Sequence, residues 1–501
     1  MRSALGRNVV ANMLSAAAGL GASIIAVPVI LNHVGTAGYG VWVIGFTVIL
    51  YLSIADAGFG PAIQRWTALG HGGGDPAATV RLLWTSVALY GAIGIVAGAA
   101  VVALAPTLAE LFVDPGALRE DAAEMFALIG VALLLVLLAN ALGNVLQGLE
   151  RFPALTVSSV LGSAVQLTAI LLLLGAGHGL RGLAEALIVQ QALVLVVRLI
   201  ALRDVAARAR PGVLRRGELG EILGFAGRLQ INALAGLVNS QSDKIVIGLI
   251  ATATVVGELG IASQLVDAGR LVVIAALTPV VSALAVSVGA ADPERLQRQF
   301  AWMHRTWIYA IGGGTIIAMG ALYPIVDGWI GGHREAIVLG LVLTLANGLS
   351  LCTGTAIAYL RAVGRPQLEA RLGPVIVALN LLFTVPLGIA FGARGVVCGT
   401  LVAYLAGSVW FMRAFRALTP QLDHVPPREL VRPTLLASLA AAAALLFGLA
   451  CTAIFPAPVA LGPVGIGTGA AFLAYLAAVT GRSLRPSALR ALVTQMREAP
   501  A

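Results

Sequence analysis

The sequence predicts an all-α polytopic membrane protein with about 14 transmembrane helices, built as two parallel six-helix repeats plus two C-terminal helices. Three observations carry that expectation. Hydrophobic residues make up 59% of the chain and charged residues only 11%, with a mean hydropathy of +0.94. A soluble domain holds nearer half apolar and a quarter charged residues, so these charges cannot clothe a water-facing surface. Apolar runs of roughly 20 residues recur along the chain, and one stretch of sequence resembles another in the same orientation.

The runs follow in order. Six centre near Ile24, Ile49, Gly91, Leu135, Gln166 and Leu193. Eight more centre near Asn239, Val272, Ile316, Leu349, Leu381, Tyr404, Leu445 and Ala470. The first run, about Val9 to Leu31, is too long for the apolar core of a signal peptide and lacks a small-residue cleavage site. Connections are short, which leaves no room between spans for a soluble catalytic domain. The predicted organisation is a six-helix bundle over 1–202, a basic cytoplasmic linker over 203–220 and a second six-helix bundle over 221–418. Two additional helices over 432–480 and a cytoplasmic tail over 481–501 complete it.

Arginine placement predicts orientation. With the N-terminus inside, about 24 Lys/Arg fall on the cytoplasmic side and about four outside, at Arg119, Arg181, Arg334 and Arg394. The outer loop "AELFVDPGALREDAAE" is acidic through Glu110, Asp114, Glu120, Asp121 and Glu124. Both termini are therefore expected in the cytoplasm. The net charge of +9 sits in these short loops and does not gather into a basic face, so no nucleic-acid partner is expected.

The repeat is legible in "LQGLERFPALTVSSVLGSAVQLTAILLLLGAGHGLRGLAEAL" against "YLRAVGRPQLEARLGPVIVALNLLFTVPLGIAFGARGVVCGTL". Gly179, Arg181 and Gly182 match Gly392, Arg394 and Gly395, and Arg151 and Pro153 match Arg365 and Pro366 within one residue. More loosely, Asn12 pairs with Asn232, and Gly40 with Gly257. Six spans per copy give both copies one orientation, with a site expected between them near mid-bilayer.

Candidate site residues concentrate in the seventh span. Arg228, Asn232, Asn239 and Asp243 share one helical face, with Ala235 among them. Gln241 and Lys244, the only lysine in the chain, lie on an adjoining strip. A charge at mid-helix costs about 2.5–3.5 kcal/mol on insertion scales, so such residues mark a function by default. The eighth span adds Gln264, Asp267 and Arg270, with Glu258 nearer the outside. Buried ion pairs that hold helices together are the alternative reading, and Asp267 and Arg270 are spaced to pair on their own helix. In the first repeat, Asn8, Asn12, Ser15, Gly19 and Ser23 line one face of the first span; Ser53, Asp56, Gly60 and Gln64 line the second, beside Arg65. Close helix packing explains small residues equally well, but it gives no reason for the carboxylate of Asp56. Asn140, Asn144 and Gln147 make a third stripe, and Pro28 and Pro386 fall inside spans.

No cofactor is expected. The six histidines are scattered without metal-ligand spacing. "GHGLRG" fits a dinucleotide fingerprint but joins two apolar helices, and "GHGGGD" lacks the Lys-Ser/Thr of a phosphate loop. Cys352, Cys398 and Cys451 lie in apolar runs with no C-x-x-C pair. No catalytic grouping is visible, and an enzyme is not expected.

"LNHVGTAGYGVWVIGFTVILYLSIADAGFGPAI", with its "GYGVW" and "DAGFG", resembles the polysaccharide-flippase branch of the multidrug/oligosaccharidyl-lipid/polysaccharide exporter superfamily. "SDKIVIGLIATATVVGELGIASQLV" followed by "LTPVVSALA" resembles the matching stretch of the second half, and the similarity covers roughly the first 415 residues. Glu258 departs from the pattern, which favours an aromatic residue there. The resemblance implies two bundles forming a V-shaped, alternating-access cavity in the bacterial cytoplasmic membrane, and a lipid-linked oligosaccharide as the substrate that is flipped. It makes Arg228, Lys244 and Arg270 candidates for the diphosphate and Asn232, Asn239 and Gln264 candidates for sugar. Asp56, Asp243 and Asp267 are then charge-balancing or coupled to H+ or Na+. Membrane lipids, a polysaccharide polymerase and glycosyltransferases are the implied partners. A cation-coupled multidrug exporter of the same superfamily is the alternative, and a membrane-embedded glycosyltransferase or polymerase a more distant one.

Overall fold

The computed structural model describes residues 2–207, 212–214, 216–289, 293–365 and 367–480. Helix is the only regular secondary structure among them. Ten helices are long and apolar enough to cross a membrane. Counted with their breaks, the described helices make the predicted fourteen passes.

Helix α1 (Arg2–Leu52) has 51 residues and α12 (Gln367–Leu418) has 52. Straight, each is nearly 80 Å long, more than twice the roughly 30 Å hydrocarbon thickness. Each instead divides into two arms at a glycine with positive φ, Gly35 (φ 69°) in α1 and Gly392 (φ 62°) in α12. L-residues avoid that region of φ, so glycine sets where the chain turns. The arms of α12 lie directly on each other: a Cβ on Gly395 would stand 1.9 Å from the carbonyl oxygen of Leu387.

Two further breaks divide single spans. Helix α2 (Ile54–Gly72) continues the second arm of α1 past Ser53. Helix α10 (Arg334–Leu351) continues as α11 (Gly354–Ala362) past Cys352 and Thr353. The remaining spans are α3 (Pro76–Phe112), α4 (Ala117–Gly148), α5 (Phe152–Gly175), α6 (Gly179–Ala206), α7 (Arg216–Ile250), α8 (Ala253–Gly289), α9 (Pro293–Trp329), α13 (Val431–Ile454) and α14 (Leu461–Thr480). Asp75 caps α3, its Oδ1 accepting from the Ala78 amide at 2.9 Å, and Pro76 supplies the first helical φ.

Two compact units divide the chain inside α8, at Gly257 and Glu258. In the first, α4 is the central helix, packed by α3, α6 and α2. Its Met125, Phe126, Ile129, Leu133 and Leu137 are wholly buried. Helix α7 packs on α2 and α1, so it belongs to this unit although the sequence repeat starts its second copy at 221. The first turn of α8 is held there too. A Cβ on Gly40 would stand 1.8 Å from the Ala253 carbonyl oxygen, and one on Gly257 2.3 Å from that of Thr36. The loosely matched glycine pair thus meets backbone to backbone.

In the second unit α9 carries the C-terminal pair. Gly313 faces the Tyr475 ring, Gly314 faces Phe472 and Gly320 faces Ala441. Tyr475 Oη donates to the Tyr309 carbonyl at 2.8 Å. A separate aromatic core joins Phe300, Tyr359, Phe411 and Phe415.

Candidate functional site

Asp56 occupies the first turn of α2, immediately after the break at Ser53, where the free amides of a helix start favour a carboxylate. Its Oδ1 accepts from Tyr90 Oη on α3 at 2.7 Å and from Asn144 Nδ2 on α4 at 2.7 Å. Asn144 Nδ2 also lies 3.3 Å from Tyr90 Oη. Gly60, one turn beyond Asp56, makes room for this triangle: a Cβ there would stand 3.0 Å from both amide atoms of Asn144 and from Asp56 Oδ1. Arg198 on α6 donates from Nε to Ser158 Oγ at 3.2 Å and from Nη1 to the Ala139 carbonyl. The break itself is tied by α7, since Gln230 Nε2 donates to the Ile54 carbonyl at 2.7 Å.

Helix α7 presents the remaining residues of the first unit. Asp243 is buried and Asn239 half-buried. Lys244 Nζ donates to Gln241 Oε1, three residues earlier on the same helix, at 2.8 Å. Asn239, Asp243 and Lys244 each make further interactions. The side chains of Arg228 and Asn232, like those of Asn8 and Asn12, lie outside the described residues. In the second unit, on α8, Gln264 and Arg270 are half-buried and Asp267 is exposed.

Within the first unit the structure therefore joins Asp56 to Asn144, from two of the predicted stripes, and adds three residues that sequence reasoning passed over. Tyr90 and Arg198 each stand alone in an apolar run. Gln230 lies off the α7 stripe, two residues from Arg228. Only partners on other helices reveal them: the Asp56 carboxylate for Tyr90, the Ile54 carbonyl for Gln230, and Ser158 with the Ala139 carbonyl for Arg198. Glu258 is explained differently: it accepts from His333 Nδ1 at 2.9 Å and from the Ala336 amide at 2.9 Å. It thereby caps the N-terminus of α10, a task no aromatic side chain performs.

Ten helices long and apolar enough to cross a membrane, with polar groups bonded between several of them, define a polytopic membrane protein. A profile of the family described as "polysaccharide biosynthesis protein" matches residues 5–284, and the chain belongs to that family. No curated protein matches significantly. Among solved structures, one similar fold is an inward-facing multidrug resistance MATE family transporter of the MOP superfamily. It has 16% identity and a TM-score of 0.69, covering 80% of this chain and 96% of that one. Another is the lipid II flippase MurJ in an inward closed conformation, with 11% identity, a TM-score of 0.67 and 95% and 99% coverage. A MOP superfamily transporter from Pyrococcus furiosus gives 15% identity, a TM-score of 0.55 and 83% and 96% coverage. At these identities the likeness is one of fold.

Proposed function

We propose that this transporter flips polyprenyl-diphosphate-linked oligosaccharides, precursors of a polysaccharide or O-antigen, from the inner to the outer leaflet of the cytoplasmic membrane by alternating access. The observation that carries the reading is the buried Asp243 beside Lys244 and Gln241 on α7, in a chain of the polysaccharide biosynthesis family. Moving a charged, hydroxylated headgroup into hydrocarbon costs tens of kcal/mol for its charge alone. Cations and amides that replace its water remove most of that cost, while the polyprenyl tail stays in lipid.

In this mechanism Lys244, Arg228 and Arg270 neutralise the diphosphate, and Asn232, Asn239 and Gln264 bind sugar hydroxyls. Asp56, Asp243 and Asp267 balance the charge of the empty site or take up H+ or Na+. Both termini face the cytoplasm, where the glycosyltransferases that build the substrate work, and a polymerase receives the product outside. A Lys244→Met strain with normal protein abundance in the membrane should accumulate lipid-linked saccharide on the inner leaflet. Unchanged export would remove Lys244 and its stripe from the path.

A second reading, a cation-coupled drug exporter, rests on Asp56, a carboxylate held by two donors inside an apolar bundle. Uptake of cationic dyes by proteoliposomes that fails to compete with lipid-linked saccharide would favour it.

A further inference from the structure

Arg65 has no part in the network around Asp56. The two residues are nine apart on α2, which sets them on opposite sides of the helix. The Arg65 side is exposed, as are Ala57 and Pro61, two and one turns nearer the middle of the span on the same face. Its guanidinium lies 4.7 Å from the centroid of Trp66 and 5.5 Å from that of Phe225 on α7. The two rings meet edge to face at 5.4 Å. They rest on a small core of Ala62, Leu82, Ile222 and Ala226, so the platform beneath the cation is fixed by packing.

Among the described residues, seven arginines are paired with carboxylates, for example Arg151 with Asp204, Arg361 with Glu369 and Arg394 with Glu335. Arg65 is not one of them. The attraction between the cation and the two rings holds the guanidinium in place without using its N–H groups on a carboxylate, and they remain available to an anion. Those groups are the pattern that binds phosphate oxygens in pairs. Arg65 stands seven residues from the end of α2 at Gly72, about 10 Å along the helix. Trp66 beside it is the residue type enriched at membrane–water interfaces. Towards the middle of the span the same face exposes Ala57 and Pro61, small apolar residues against which an acyl chain packs.

We propose that Arg65, held against Trp66 and Phe225, binds the phosphate of an anionic bilayer phospholipid whose acyl chain lies along Pro61 and Ala57. Bound there, the lipid holds the α2–α7 pair to the membrane.

The test uses the purified full-length chain in nanodiscs containing phosphatidylglycerol and phosphatidylcholine. Native mass spectrometry counts the lipids retained after stepwise delipidation. Wild type should retain phosphatidylglycerol over phosphatidylcholine, and Arg65→Gln should lower that preference about fivefold. Arg65→Lys keeps the charge without the planar fork and should fall between them. Phe225→Leu keeps the whole cation, loses one ring face, and should weaken retention about twofold. Unfolding temperatures in detergent identify any variant that is misfolded, and Arg65→Lys serves as the test variant if Arg65→Gln is one. Parallel titrations with a polyprenyl diphosphate and with inorganic pyrophosphate separate the possible sources of phosphate. The proposal is overturned if Arg65→Gln and Arg65→Lys both retain phosphatidylglycerol as wild type does. It is equally overturned if the loss appears only with polyprenyl diphosphate, which would move Arg65 into the transport path, or only with free pyrophosphate.

Discussion

Tyr90→Phe removes one of the two hydrogen bonds that Asp56 Oδ1 accepts, leaving the ring and its packing in place. The bond is 2.7 Å long and Tyr90 is 1% exposed, so water does not replace the lost donor. A hydrogen bond to an ionised group contributes about 1.5–3 kcal/mol net, against about 0.5–1.5 kcal/mol between neutral partners. Asp56 is only half-buried, which places Tyr90→Phe near the lower end, about 1.5 kcal/mol. Asp56→Asn supplies the control, because an amide oxygen accepts the same two bonds without the charge. In that background Tyr90→Phe should cost roughly 1 kcal/mol less, and this difference is the coupling that a double-mutant cycle isolates. Denaturant unfolding of the four proteins in one detergent measures it. Equal costs in both backgrounds, within about 0.3 kcal/mol, would refute the idea that Asp56 is a carboxylate stabilised by Tyr90.

Two other outcomes follow from geometry. Gly40→Val places a Cβ where 1.8 Å separates it from the Ala253 carbonyl. The first turn of α8 must retreat by more than an ångström, and overpacking of this kind costs about 1–3 kcal/mol; an unfolding temperature equal to wild type would disprove the close crossing. His424, in the loop after α12, donates from Nε2 to the Thr419 carbonyl at 3.2 Å and packs edge-on to Phe415. Burial, aided by Arg416 and opposed by the Thr419 carbonyl and Asp423, lowers its pKa below the ordinary histidine value. The unfolded chain then binds the proton more readily. The stability that neutral His424 contributes is complete above about pH 6.5 and is lost as pH falls through the folded value, by no more than about 1.4 kcal/mol per pH unit. Comparing unfolding at pH 8 and pH 5.5 should show a smaller acid loss in His424→Gln than in wild type.

The spans were legible because lipid demands long apolar runs, and the turns at Gly35 and Gly392 follow from the room that sequence left for only short connections. The breaks at Ser53 and at Cys352–Thr353 carry no such mark. Neither contains proline, and both depend on partners outside the helix, such as Gln230 at Ile54. Asp56 was legible as an anomaly, since packing alone gives no reason for a carboxylate. Its partners were not. One hydroxyl in "TSVALYGAIG" and one guanidinium in "VLVVRLIAL" acquire meaning only when α3 and α6 are wrapped around α4. Glu258 shows the opposite failure: it departs from the resembling pattern, and its reason lies 75 residues downstream at His333.

The glycines of α9 also decide which helices the second unit accepts as its final pair. Tyr475 sits where a Cβ on Gly313 would come within 2.2 Å of its ring, and its hydroxyl is spent on a main-chain acceptor of the same helix. A hairpin grafted from another protein would leave that notch open unless it carried an aromatic hydroxyl at the same height. Lipid tails pack poorly into a furrow one methyl group deep. Exchange of this helical pair between proteins of this fold is therefore restricted by shape, and the residue facing Gly313 marks which chimeras are tolerated.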